Sequence, residues 1–181
     1  MKQHSYSDEG VVLARRSFGE ADRILVIYSK NHGRMSLIAK GVRRPKSRKR
    51  GHIEIFNKVA YQAVSGKGID LMTEAEVITD FKEIRKDLKK VSLAYYFCEV
   101  IGKITHDGEA NFEVYNLLTT SLEKLKEEKE LKKLRLDFVL ELLILLGFWP
   151  KGKVLLDVDK KLEEVIERQI NSVRVGKMML E

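Results

Sequence analysis

The chain has 181 residues, 44% of them hydrophobic and 34% charged, with a formal net charge of +7 and a pI near 9.4. That hydrophobic share is enough for a packed core and excludes a wholly disordered chain, and the length allows one or two domains. The single cysteine, Cys98, excludes an internal disulfide and a cysteine-based zinc cluster.

Residues 8–79 read as β. Residues 10–18 form a first strand, 19–22 a turn, and 23–28 a second strand rich in β-branched residues. Asn31 and Gly33 supply a short hairpin loop before a third strand at 35–40. Residues 53–64 alternate, with Ile53, Ile55, Val59, Tyr61 and Ala63 on one parity. A turn at 65–68 leads to 69–77, where Asp70, Glu74 and Glu76 oppose Leu71, Ala75 and Val77. Five short strands with half-polar faces predict a small antiparallel barrel or sandwich.

Between the third and fourth strands lies a stretch of seven basic residues in eleven positions with no acidic one: Lys40, Arg43, Arg44, Lys46, Arg48, Lys49 and Arg50. Like charges this dense repel one another, and a polyanion relieves the cost by releasing its condensed counterions. Gly41 and Pro45 punctuate the run as turn residues, which describes an arm held on a sheet. Residues 1–80 carry 15 Lys+Arg against 9 Asp+Glu, whereas residues 81–150 carry 12 against 12. The positive excess is therefore N-terminal and points to an acidic polymer as partner.

From residue 80 the period becomes about 3.6 residues. Leu88, Val91, Tyr95, Cys98, Ile101 and Ile104 share a stripe, and Phe112, Tyr115, Leu118, Leu122 and Leu125 mark a second helix. Residues 124–133 read as a solvated connector. Residues 134–146 are apolar almost all round, which predicts the central helix of a bundle, stopped by Gly147 and Pro150. Asp159 is the expected N-cap of a last helix with Leu162, Val165, Ile166, Gln169, Ile170 and Val173 as its stripe. The pattern divides the chain at residue 80, into 1–80 and 81–181.

No enzyme signature emerges. Gly66-Lys-Gly68 is a turn without the Gly-Lys-Ser/Thr of a phosphate loop, and His4, His32, His52 and His106 lack metal-ligand spacing. His32 and His52 flank the basic run and read as turn residues. Cys98, inside an apolar helical run, reads as core. No metal, cofactor or catalytic residue is expected. The first nine residues lack the apolar stretch of a signal peptide, and the most apolar segment is shorter than the about 20 residues that span a bilayer. A cytoplasmic protein with no membrane partner is expected. Phe18, Tyr28, Phe56 and Tyr61 are candidate stacking residues and equally candidate core. With few aromatics and many cations, backbone recognition with little base preference is expected.

The segment Ser7-Asp-Glu-Gly-Val-Val-Leu-Ala14 with Gly19-Glu-Ala-Asp-Arg-Ile-Leu25 resembles the opening of the RecO recombination mediators. Gly33-Arg-Met-Ser-Leu-Ile-Ala-Lys-Gly-Val-Arg-Arg-Pro-Lys-Ser-Arg48 is similar to that family's third strand and basic segment, and residues 71–77 and 142–150 also fit. The resemblance implies an α+β fold: an N-terminal five-stranded OB-fold barrel followed by an all-α helical domain. It implies a non-enzymatic role in DNA repair. Such proteins bind single- and double-stranded DNA, anneal complementary strands, and with RecR help load RecA on DNA coated by single-strand binding protein. Many relatives carry a Cys-x-x-Cys pair, twice, after the Gly-Phe-x-Pro-like stop. Residues 151–159 have no cysteine, so that zinc module is not expected here.

Candidate nucleic-acid-binding residues are thus Arg34, Lys40, Arg43, Arg44, Lys46, Arg48, Lys49 and Arg50. The acidic, apolar-ended tail of the single-strand binding protein is expected to need an apolar groove with cations at its rim. Lys103, Lys132, Lys133 and Arg135 are the candidates for that rim. A basic barrel does not by itself distinguish DNA from RNA, so an RNA-binding module stays open, as does an enzyme whose site forms only on folding.

Overall fold

The computed structural model describes residues 4–166. Five strands form the N-terminal half: β1 (Ser5–Phe18), β2 (Asp22–Ser29), β3 (Gly33–Ala39), β4 (Lys58–Val64) and β5 (Asp70–Thr79). They close in the order β1-β2-β3-β5-β4, with β4 returning to β1. Closure removes the sheet edges and decides for a barrel over a sandwich. This is the five-stranded OB-type barrel.

β1 is long enough to serve two neighbours. Its first half pairs with β4 from Ser5 to Val11, and its second half pairs with β2 from Gly10 to Phe18. The two halves meet at Gly10, where an added Cβ would lie 2.5 Å from Ile27 Cγ2 and 2.8 Å from the Tyr28 carbonyl oxygen. Only glycine lets the strands come this close. The barrel is not wholly antiparallel. β3 and β5 meet in parallel through Leu37–Asp70 and Ile38–Leu71. β4 runs against β1, and β5 runs against β4, so β5 must run with β3.

The fourth strand begins at Lys58, not at residue 53. Residues 53–57 are turns, because Phe56 adopts φ 58°. The alternation there reflects burial on two sides: Ile53 enters the barrel core and Phe56 faces the helices. Val12 holds this turn by accepting from the Phe56 N–H at 2.8 Å and donating to the Asn57 carbonyl at 3.0 Å.

A 3₁₀ turn at Ile84–Lys86 leads to four helices among the described residues: α1 (Leu88–Ile104), α2 (Phe112–Leu125), α3 (Leu131–Leu145) and α4 (Val158–Ile166). Asp87 caps α1 by accepting from the Lys89 and Lys90 N–H groups, and Asn111 caps α2 through Val114. The central helix is α1, not the greasy α3. Leu93, Ala94, Tyr96, Phe97, Cys98, Val100 and Ile101 are all buried, whereas Leu88 and Tyr95 of the expected stripe are exposed. α1 packs on the barrel through β1 and β2 and touches α2, α3 and α4, so burial wraps around it. α3 buries one side, through Leu134, Phe138, Val139 and Leu142, and leaves Leu136, Leu140 and Ile144 half-buried.

There are two cores. Val12, Leu25, Ile27, Leu37, Val59, Tyr61 and Met72 fill the barrel. Val11, Leu13 and Tyr28, from the outer face of β1 and β2, join the helices in one continuous core. The barrel and the helices are thus packed on each other. Asp157, not Asp159, caps the last helix by accepting from the Lys160 N–H at 2.9 Å. Gln169, Ile170 and Val173 lie outside the described residues.

Candidate nucleic-acid interface

The topology brings the β1–β2 turn, the β3–β4 connection and the end of β5 to one end of the barrel. The basic run is that β3–β4 connection. Its backbone is a chain of turns, with Arg44 N–H bonded to Gly41, Ser47 to Arg44 and His52 to Lys49. Three anchors fix it. The Gly41 N–H donates to Asp22 Oδ1 at 2.7 Å and the Arg43 N–H to the Ala21 carbonyl at 2.8 Å. Val42 and Ile53 are fully buried in the barrel core. Between them Lys49 Nζ reaches back to the carbonyls of Met72 and Thr73 on β5. Repelling cations are held together because the apolar anchors and backbone bonds around them are made elsewhere.

Lys40, Arg43, Arg44, Lys46, Arg48 and Arg50 are exposed on this arm. Two of the expected binding residues are not available in the same way. Lys49 is turned inward, and burial pulls its ammonium below the ordinary lysine range. Arg34 faces the helical half: it pairs with Asp107 at 2.7 Å and also donates to the Gly102 carbonyl. It is a brace between barrel and helices. Gly33 beside it, at φ 69°, sits where a Cβ would fall 2.1 Å from the Glu109 carbonyl oxygen.

The histidines do not flank the arm as a pair. His52 Nδ1 accepts from the Val77 N–H at 3.1 Å. His32 lies at the opposite end of the barrel, 2.7 Å from Asp8. Asp8 also accepts from Ser29 and Asn31, and these hydrogen bonds outweigh its burial and hold the carboxyl below the usual range. Of the four candidate aromatics, Tyr28, Phe56 and Tyr61 are core. Phe18 alone is exposed, at 48%, at the end of β1 beside the arm, where it offers a face for stacking.

Sequence reasoning passed over three cations at this same end. Arg16 is exposed, Arg15 pairs with Glu54, and Arg23 lies among other arginines. The adjacent pair Arg15-Arg16 at a strand end was the available signal.

The candidate rim residues of the helical half also separate. Arg135 is not a rim cation. It is 4% exposed and forms a two-pronged pair with Asp159 across α3 and α4, with its guanidinium 5.7 Å from the Tyr96 ring. Burial opposes its charge, but the bonds to Asp159 more than offset that and raise its pKa. Lys103 pairs with Glu99 one turn back at 2.6 Å. Lys132 and Lys133 stay exposed, and with Lys89 and Lys129 they surround a groove floored by Leu131 and Leu136.

The residues present do not fit a cysteine-held zinc. Cys98 is fully buried with its thiol toward the Val12 carbonyl at 3.8 Å, and burial pushes its pKa up to about 12. Among the described residues no group of three or more His, Cys, Asp or Glu is placed to share a metal. Cys98 is accordingly expected to react with a disulfide reagent at pH 8 at least about a hundredfold more slowly than a free thiol, since so little thiolate is present. Labelling followed with and without denaturant checks this; full labelling of the native protein within minutes would contradict it. Among the described residues no helix is long and apolar enough to cross a membrane.

Residues 1–81 match the family model for the N-terminal part of recombination protein O, and residues 85–153 match the model for its C-terminal part. The chain belongs to the RecO family. It is 32% identical over 146 residues to a protein of Symbiobacterium thermophilum described as DNA repair protein RecO, covering 80% of this chain and 58% of that one. Proteins of the same description from Pelotomaculum thermopropionicum and Desulforudis audaxviator are 33% and 35% identical, over 80% and 83% of this chain and 56% and 59% of theirs. The chain thus spans less than two thirds of the length of these RecO relatives.

Proposed function

We propose that this RecO-family chain is a non-enzymatic, cytoplasmic DNA-binding mediator of recombinational repair. It binds single- and double-stranded DNA at the arm end of the barrel and anneals complementary strands. With RecR it helps load RecA on DNA coated by single-strand binding protein. Residues 1–80 carry the DNA contact and the helices from residue 81 onward carry the protein contacts. The observation that carries this reading is the anchored arm: six cations are exposed on backbone fixed at one end of a closed barrel, beside an exposed phenylalanine. Cations on a pre-ordered loop engage phosphates at little entropic cost. Annealing of two complementary labelled oligonucleotides, with and without single-strand binding protein on them, tests it. Acceleration in both conditions is expected. Binding to duplex RNA in preference to single-stranded DNA, with no annealing, would overturn it.

The same reading places the acidic tail of the single-strand binding protein at the groove of Lys89, Lys129, Lys132 and Lys133, with its apolar end over Leu131 and Leu136. Reversing both Lys132 and Lys133 to Glu should weaken a labelled tail peptide about tenfold, two exposed ion pairs being worth roughly 1.4 kcal/mol together. DNA affinity and melting temperature should stay near the parent's. Undiminished peptide binding would remove the groove as the tail site.

A further inference from the structure

The bulge in β1 between Val12 and Ala14 shifts the alternation of that strand by one residue. Val12 points into the barrel. Beyond the bulge Arg15, opposite Leu25, continues the inner face, and Arg16 is left outside. Arg23 lies two residues before Leu25 on β2 and shares its face. Both guanidinium groups therefore rise from the inner face at the end of the barrel that the arm covers. Arg43 comes in from the arm, bonded through its backbone to Ala21 and through its side chain to the Gly19 carbonyl.

Arg23 feels burial first, then the charges of Arg15, Arg43 and Arg50, and these pull its pKa below the ordinary arginine range. One carboxylate answers this cluster. Glu54 is bonded to Arg15 and is itself 37% exposed. Nη1 of Arg23 is buried with no hydrogen-bond partner. A buried donor without an acceptor is unfavourable, and arginines this close repel one another. An anion with several acceptor oxygens removes both penalties. A phosphodiester, planar to approach and singly charged, matches the guanidinium fork.

We propose that Arg15, Arg23, Arg43 and Arg50 form one phosphate-binding pocket at the barrel mouth, which Glu54 holds closed until a backbone phosphate of the nucleic acid displaces it from Arg15. Glu54 stands in for the phosphate in the free protein and keeps the cations from repelling one another. The pocket rests on the DNA-binding reading above and adds to it a site that the arm alone does not make. It also makes Glu54 an internal competitor that sets the affinity.

Two substitutions break the same ion pair with opposite expected results. Glu54→Gln frees the pocket. Binding of a single-stranded oligonucleotide should tighten about fivefold at 0.1 M salt, and the slope of log K against log salt should steepen by about 0.7, the value for one more phosphate engaged. Arg15→Gln should weaken binding and flatten the slope by about the same amount. Adding Arg23→Gln to Glu54→Gln should cancel the gain. Glu20→Gln, on the neighbouring turn, changes the net charge equally and should leave the slope at the parent's value. Glu54→Gln and Arg15→Gln moving affinity in the same direction would show a merely structural pair and overturn the pocket, as would a Glu20→Gln gain equal to that of Glu54→Gln. Those outcomes leave the arm's role standing. A parent that binds neither single nor double strands would instead overturn the DNA-binding reading, and the pocket with it.

Discussion

Replacing Arg43, Arg44, Arg48 and Arg50 together with alanine should lower DNA affinity about a thousandfold at 0.1 M salt, with the loss fading toward 1 M. The size follows from counterion release. Each duplex phosphate neutralised contributes about 0.9 to the slope of log K against log salt, so four lost contacts flatten it by roughly 3.6. The loss should be alike for all sequences, because phosphate contacts position the protein without reading bases. It should leave the fold intact. The four side chains are exposed, and the arm is held by Val42, Ile53, Lys49 and backbone bonds. Lys49→Ala gives the opposite pattern: its ammonium is spent on the Met72 and Thr73 carbonyls, so stability should fall while the salt slope changes little. Anisotropy titrations at four or five salt concentrations, with a melt of each variant, separate the two. Unchanged low-salt affinity in the four-arginine variant would remove the arm from the interface.

The second large effect lies in the helices and concerns stability. Arg135→Ala should cost about 3–5 kcal/mol, because it leaves the Asp159 carboxylate largely buried and without its cation. The side chains of Arg135 and Asp159 are 5% and 14% exposed, so water cannot take the place of the missing partner. A domain of this size is held by about 5–15 kcal/mol, so the loss is a large share of the whole. Asp159→Asn should cost a similar amount. Replacing both together, Arg135→Met with Asp159→Leu, should recover most of it, since apolar pairs of similar volume often serve as well as a buried ion pair. Denaturant midpoints for the three variants decide the matter. A loss under about 1 kcal/mol in Arg135→Ala, the range of exposed pairs, would show that the pair contributes no more than a surface contact.

Much of this protein is local pattern and was therefore legible in the sequence. Alternation placed five strands, the change of period near residue 80 placed the helices, and the charge run at 40–50 marked the interface, since side-chain periods and charge density need no knowledge of the fold. What the sequence leaves open is which partner each group meets. Arg34 and Arg44 are alike in sequence, yet one braces Asp107, 73 positions away, and the other faces solvent. Arg135 looked like a rim cation until α4 brought Asp159 against it. The apolar run at 134–146 outscores α1 in greasiness, but α1 is central because the barrel packs on it from one side and α2, α3 and α4 from the others. The bulge at Val12 and Ala14 changes no composition, yet it reverses which of Arg15 and Arg16 turns inward. Periodicity and charge are summed along the chain and survive in the sequence. Burial and ion pairing depend on contacts made across it, and these exist only once the barrel has closed and the helices have packed on it.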